Sequence, residues 1–327
     1  MQWKVLIALT TTAAVSMLAA GSATAFTNCE FETSGDTMTL VDDCVTDETI
    51  GVPDGMTLDG DSHTITAQDP VAGHFTGAVV ANEGDEAYVT DLGVTADELV
   101  NACDAGADRL RGIMFEGAKG AITKSEVTGI NQGPSGCQEG NAIEVRNEPF
   151  DGSGTDPIVV TIDHNSVDDY QKTGIVANGN VAVEVTHNEV GDSATQEDLA
   201  ANSIQLGFGA LGSVEHNRIE GNQWLGASNF AATAVLLFEV GEGATVSKND
   251  VRGNSDIGIY AEGSGAIVDN NRVFDEGPDG PHGDYGIASN GENEVTNNKV
   301  RGFDEAYFGV DGGKNKTIPG PQGEPAF

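Results

Sequence analysis

The sequence predicts an all-β solenoid of about eight stacked coils with an N-terminal cap, and three observations carry that prediction. The phrase apolar-x-x-Asn-x-apolar recurs at Ile162/Asn165/Val167, Val185/Asn188/Val190, Val214/Asn217/Ile219, Val246/Asn249/Val251, Val268/Asn271/Val273 and Val295/Asn298/Val300. Its asparagines are 23, 29, 32, 22 and 27 residues apart, a period of stacked supersecondary units whose irregularity means loops of different length on a constant core. Between successive phrases lies a second short strand, announced by a Gly-Ile-like pair such as Gly112-Ile113, Gly174-Ile175 or Gly258-Ile259. At roughly 4.8 Å per coil, eight coils make a stack about 40 Å long.

Residues 1–25 read as a signal peptide: Lys4, a largely apolar run from Val5 to Ala20, and the small-x-small site Ala23-Thr-Ala25. Residues 26–67 form the cap and first coil, with short strands at Thr37-Met-Thr-Leu40 and Thr49-Ile50-Gly-Val52 and a turn at Pro53-Asp-Gly55. Residues 68–310 are the solenoid proper. Weaker copies of the phrase open it, with Ser125 in place of Asn between Ile122 and Val127, and only the apolar columns left at Val89/Leu92/Val94. Period-2 alternation puts the Ile or Val of each Gly-Ile strand inside. It stacks Met114, Glu144, Val176, Gln205, Leu236, Tyr260 and Ala288 on the outside. Residues 311–327 lose the pattern and read as a C-terminal flap or tail.

The stretch Cys44-Val-Thr-Asp-Glu-Thr-Ile50-Gly-Val-Pro53-Asp-Gly-Met-Thr-Leu58-Asp-Gly-Asp-Ser-His63-Thr-Ile-Thr66 is similar to the opening of secreted right-handed parallel β-helix proteins of the pectate-lyase-like superfold. With the Asn repeats, the resemblance covers nearly the whole chain after residue 25. It implies the fold rather than an activity, because the superfold hosts lyases, hydrolases, epimerases and non-catalytic proteins. Polygalacturonase-like hydrolases carry Asn-Thr-Asp, Asp-Asp, Gly-His-Gly and Arg-Ile-Lys, of which only Asp168-Asp169 occurs here. The Asp-Pro-His of alginate-epimerase-like proteins has a partial echo in Gly280-Pro281-His282.

Composition narrows the setting. With 52 acidic and 15 basic residues the formal net charge is −37, which excludes nucleic acid as a partner. Self-repulsion of this size destabilises a fold in dilute buffer but is screened near molar salt, where the Debye length is about 3 Å, so we expect a salt-adapted protein. A calcium-loaded surface is the alternative, and calcium is the one cofactor entertained. Cys29, Cys44, Cys103 and Cys137 make an even count that reads as two disulfides in an exported chain. Of the three pairings, Cys29 with Cys44 and Cys103 with Cys137 suit a solenoid, which keeps sequence neighbours close. No apolar run after residue 25 is long enough for a membrane span.

Loop lengths point to the site. From the inward Ile or Val of the Gly-Ile strand to the apolar position before the Asn the gaps are 10, 10, 11, 9 and 8 residues in five coils, with one exception of 19 from Ile143 to Ile162, whose Pro149–Gly154 segment leaves from the other corner. From the end of the Asn phrase to the next Gly-Ile strand they reach 16, 14, 16 and 14. Long loops therefore leave one corner, and loops gathered on one side line binding surfaces. Trp224, in such a loop, offers an indole to stack on a sugar or else anchors the loop. Glu144 and Arg146 share a strand face, with Lys172 and Gln205 beside them, as a salt-bridged ladder or as binding groups. Asp279, His282, Asp284 and Tyr285 concentrate carboxylates, an imidazole and a phenol that suit calcium binding or proton abstraction beside a sugar carboxylate. The catalytic candidates are thus Glu144, Arg146, Asp279, His282 and Asp284, and the ligand-binding candidates Trp224, Lys172, Gln205 and Tyr285. His164, His187 and His216 precede the Asn on successive coils, but Lys248 and Asn270 continue that column, so it reads as an exposed corner and no metal site is expected. The expectation is a secreted protein binding a polysaccharide or cell-surface glycan, with a polysaccharide lyase, epimerase or glycoside hydrolase as the alternative.

Overall fold

The computed structural model describes residues 26–193, 197–227, 230–277, 280–310 and 313–319; the expected signal peptide lies outside them. Their strands form three sheets of eleven, ten and eleven strands, and each coil gives one strand to each sheet in turn. All neighbours within a sheet are parallel except Phe31–Ser34 against Thr37–Leu40, the hairpin that starts the first sheet. Ten coils result, one per strand of the ten-stranded sheet. Repeat counting gives about eight because the first coils carry neither the Asn nor a Gly-Ile pair.

The phrase is a corner with a strand on each side. Its first apolar residue ends a strand of the first sheet and its last lies in the third, as in Ile158–Asp163 and Ser166–Asp168. Ile162, Val185, Val214, Val246 and Val268 stack on one inner wall at 0% exposure. Val190, Ile219 and Val273 line a second wall, and Ile143, Ile175, Ile204, Val235 and Ile259 a third. Each such side chain contributes roughly 1.5–3 kcal/mol of transfer free energy. The Gly of the Gly-Ile pair also points inward: a Cβ at Gly174 would lie 2.9 Å from Val190 Cγ1, so the corner beside the third sheet has no room for one.

The asparagines hold the coils in register. Asn188 Oδ1 accepts both the backbone N–H and the side-chain Nδ2 of Asn165, each at 2.9 Å. Asn188 Nδ2 donates to Ile162 O at 2.9 Å and to Asn217 Oδ1 at 3.0 Å. The same pattern continues through Asn249, Asn271 and Asn298 to Asn315. The left-handed corner residue is not the Asn but the one before it: His164, His187, His216, Lys248, Asn270 and Asn297 have φ between 55° and 58°. The Asn therefore supplies the amide ladder and its predecessor supplies the turn.

The two disulfides are Cys29–Cys44 and Cys103–Cys137. Beyond the last full coil, Lys316–Thr317 pairs with Lys299–Arg301 and extends the third sheet. Among the described residues no helix is long and apolar enough to cross a membrane.

The ladder gives a direct prediction. Asn188→Ala leaves the Asn165 backbone N–H, one of the two Asn165 Nδ2 hydrogens and the Ile162 carbonyl without their partners, while Nδ2 keeps its bond to Ile122 O. At about 1–3 kcal/mol per stranded group, the loss should be roughly 3–9 kcal/mol in denaturant unfolding. A change within 0.5 kcal/mol would show that the ladder is dispensable.

Candidate functional site

The outer face of the ten-stranded sheet is the floor of a groove parallel to the solenoid axis. Register pairs Met114 with Glu144, Glu144 with Val176, Val176 with Gln205, Gln205 with Leu236, Leu236 with Tyr260 and Tyr260 with Ala288. The column read from the sequence is thus a physical row, extended by Phe308. The loops after the third-sheet strands form one bank. Three hollows on this floor run together: Arg109, Asn141, Asn178 and Phe208 line the first and second, while Lys172, Asn202 and Leu236 line the second and third.

The end nearest the N terminus is cationic. Arg111 is 2% exposed, and its Nε donates to Glu144 Oε2 at 2.6 Å while its other nitrogens donate to the carbonyls of Gly106, Ala107 and Arg109. Asn141 Nδ2 donates to the same Glu144 oxygen at 2.8 Å. Glu144 is therefore fully engaged beneath the floor rather than free to move protons. Arg146 pairs with Glu116 at 2.9 Å and reaches Glu144 only at 3.8 Å. Arg109 Nε, Arg146 Nε and Asn141 Oδ1 are buried without a hydrogen-bond partner. Three guanidiniums thus line a hollow of about 290 Å³ whose one lining carboxylate is Glu144.

Loops held from below build this end. The Cys103–Cys137 bridge ties two of them together. Glu139, 1% exposed, accepts the backbone N–H groups of Asp104 and Leu110 and the side-chain amide of Gln132.

Lys172 sits where the second and third hollows meet. It is half-buried, its ammonium donates to Ala200 O at 2.5 Å, and it forms no ion pair among the described residues. Burial pushes its pKa down to about 8. Gln205 lies beside it on the floor, taking a hydrogen bond from Asn202 at 3.1 Å and giving one to Asn178 at 3.4 Å.

The far end is aromatic and apolar. Leu236, Tyr260, Tyr285, Phe230 and Phe308 line a hollow of about 500 Å³. Tyr285 and Phe308 rings lie 5.0 Å apart, and Phe230 is 68% exposed. Such surfaces suit the apolar faces of sugar rings.

The remaining candidates are not brought together. Trp224 is 6% exposed, its ring against His282 at 6.2 Å and edge-on to Phe230 at 6.5 Å. Asp256 accepts the backbone N–H groups of Trp224 and Ala232, both at 2.9 Å, and so fixes this loop as the bank of the third hollow. Trp224 is a loop anchor with no ring face open to a sugar. His282 Nε2 donates to Gly226 O at 2.5 Å, and Asp284 accepts the Asp304 N–H at 2.7 Å, so both tie segments together. Asp279 lies outside the described residues. Of this loop's described candidates, Tyr285 lines the groove, while His282 and Asp284 bond to different segments.

Sequence reading missed Arg109, Arg111, Phe208, Phe238 and Phe308. Arg111 was accessible in principle: it occupies the outer position two before the inward Ile113, in register with Asn141, Thr173 and Asn202.

Three parallel sheets wound coil upon coil, with an amide ladder at one corner and a groove on one face, define a parallel β-helix repeat protein. The chain belongs to the family described as the right-handed β-helix region, whose model matches residues 150–318. No curated protein and no solved structure matches it.

Lys172 offers a check on the site. Its amine should titrate near 8, two units or so below an exposed lysine, as read by NMR of lysine-labelled protein with Lys172→Met for assignment. A midpoint above 10 would mean that the ammonium is hydrated and the groove more open than described.

Proposed function

We propose that this is a secreted, salt-adapted protein that binds a carbohydrate chain, free or on a cell surface, along the groove of the ten-stranded sheet. One observation carries this reading: the three hollows share lining residues and form a single trough, cationic at one end and aromatic at the other. A linear polymer laid along it meets one new floor residue per coil, about every 4.8 Å. Arginine forks suit carboxylate or sulfate groups on such a polymer, and aromatic faces suit its rings. The cationic end stands out against a net charge of −37, which would otherwise repel an acidic glycan. Two disulfides support export to an oxidising compartment.

The second reading, a polysaccharide lyase or related enzyme, is favoured by Lys172. An amine poised near 8 without a carboxylate partner, close to Arg109 in the same hollow, suits proton abstraction next to a uronate. Binding remains preferred because Glu144 is committed to Arg111 and Asp284 to the Asp304 N–H.

A glycan screen in molar salt tests both. Acidic polysaccharides should be retained, Arg146→Ala should weaken them about tenfold, roughly 1.4 kcal/mol, and Tyr260→Ala should weaken acidic and neutral chains alike. Equal retention by wild type and both variants would sink the groove as the binding surface, whereas unsaturated product or new reducing ends would replace binding with catalysis. Salt adaptation carries its own expectation: the melting temperature should rise from dilute buffer to molar salt. A flat or falling trend would remove that part of the proposal.

A further inference from the structure

A second candidate site lies on the opposite side of the coil, at the corner that carries the amide ladder. Just before that corner, the strands of the first sheet present the column Asp163, Thr186, Glu215, Ser247, Asp269 and Thr296, an acid alternating with a hydroxyl. Asp163 and Glu215 each meet the left-handed corner residues of two coils, and Asp269 meets that of the next coil. Glu215 faces His216 at 3.8 Å and Lys248 at 3.5 Å, and Asp269 accepts from Thr296 at 2.8 Å and Asn297 at 2.6 Å.

At Asp163 alone among these acids, both corner partners are imidazoles. Its Oδ2 lies 2.6 Å from His164 Nδ1, and its Oδ1 lies 3.0 Å from His187 Nδ1 and 2.7 Å from Thr186 Oγ1. The two rings stack at 4.9 Å, and His216 follows at 5.5 Å. The Asp163 carboxylate is thus held by three side chains from two successive coils, Thr186, His164 and His187.

We propose that Asp163, His164 and His187 form a binding site for a borderline divalent transition ion of the zinc, nickel or copper class. One ligand atom from each residue can be chosen so that all three lie within 4.8 Å of one another. Ligands sharing one ion at about 2.0–2.2 Å sit some 3–3.5 Å apart. The remaining approach needs only rotation of side chains that are 59% and 51% exposed. The backbone beneath them cannot wander, because Asn165 and Asn188, the next residues along, are buried in the ladder. Two imidazole nitrogens with one carboxylate select borderline ions over calcium or magnesium. As each Nδ1 turns from the Asp163 carboxylate to the ion, its proton is carried instead by Nε2, for which no hydrogen bond is formed among the described residues. The column is the exposed corner expected from sequence, and the Asp163 carboxylate in addition converges on two of its rings.

Other coils supply the control variant. Asn270 and Asn297 occupy the same left-handed position, so His187→Asn keeps the corner while removing a ligand. Tag-free full-length protein, in molar potassium chloride to suppress non-specific cation binding, would be titrated calorimetrically with zinc and with nickel, and with calcium for comparison. The expected result is one saturable zinc or nickel site per chain, no heat from calcium at this site, about tenfold or greater loss of affinity in His187→Asn and in His164→Asn, and no loss in His216→Asn. Copper(II) at one equivalent should give an electron paramagnetic resonance spectrum with nitrogen coupling that His187→Asn removes. Absence of saturable binding, or affinity unchanged in the His164 and His187 variants, overturns the site.

Discussion

The structure depends on the asparagine ladder. A side-chain amide has two N–H donors and two acceptor lone pairs, and at Asn188 all four are used inside the protein. The group can therefore sit 2% exposed without the cost of an unmade hydrogen bond. Because each amide bonds the amides of the coils on both sides, it also fixes one coil against the next. Strand side chains alternate, so a slip of one residue would turn a column of Val and Ile out into water. The ladder from Asn165 to Asn315 falls within residues 150–318, where the family match lies. Toward the N terminus it ends at Ser125, whose N–H still donates to Asn165 while its hydroxyl takes the Leu92 N–H.

This constraint explains why length varies mainly on one side of the coil, the exception being the loop between Asn141–Asn147 and Ile158–Asp163. The residues leading into the ladder corner must place an Asn and a left-handed predecessor at fixed height in every coil, which leaves little room for insertions. The corner between the third sheet and the ten-stranded sheet has no such continuous requirement. Loops there can lengthen and be tied down individually, by Glu139 near the cationic end and by Asp256 near the aromatic end. The groove is what this asymmetry builds.

The same reasoning separates what was legible in the sequence from what was not. Columns, coil faces, disulfide pairs and the loop-bearing corner all follow from period-2 alternation and chain proximity, which are local rules. Arg111 escaped because alternation fails next to it: Gly112 and Ile113 both point inward, so a residue two before an inward Ile lies outside. Trp224 was open to two readings because a loop's sequence does not reveal which way an indole turns, and Asp256, which accepts the Trp224 backbone N–H, is 32 residues away. His282 and Asp284 are neighbours whose side chains go to different coils, Gly226 and Asp304, so proximity in sequence overstated their convergence. Propensity alone favours Asn for a left-handed corner, yet His, Lys and Asn all adopt that conformation once the neighbouring ladder fixes the corner.

Charge then acquires a spatial meaning that composition lacks. Carboxylates on the ladder corner recur on every second coil of the column and are met there by hydroxyls, imidazoles or an ammonium. On the groove floor the order reverses, with arginines in the majority and the carboxylate of Glu144 sunk beneath them. Screening by salt weakens long-range repulsion from the acidic surface more than it weakens contacts inside a partly buried groove. High ionic strength would therefore let the cationic end act on a nearby anion with less opposition from the rest of the molecule. A chain so acidic can present a cationic trough end because Arg109, Arg111, Arg146 and Lys172 gather on one face.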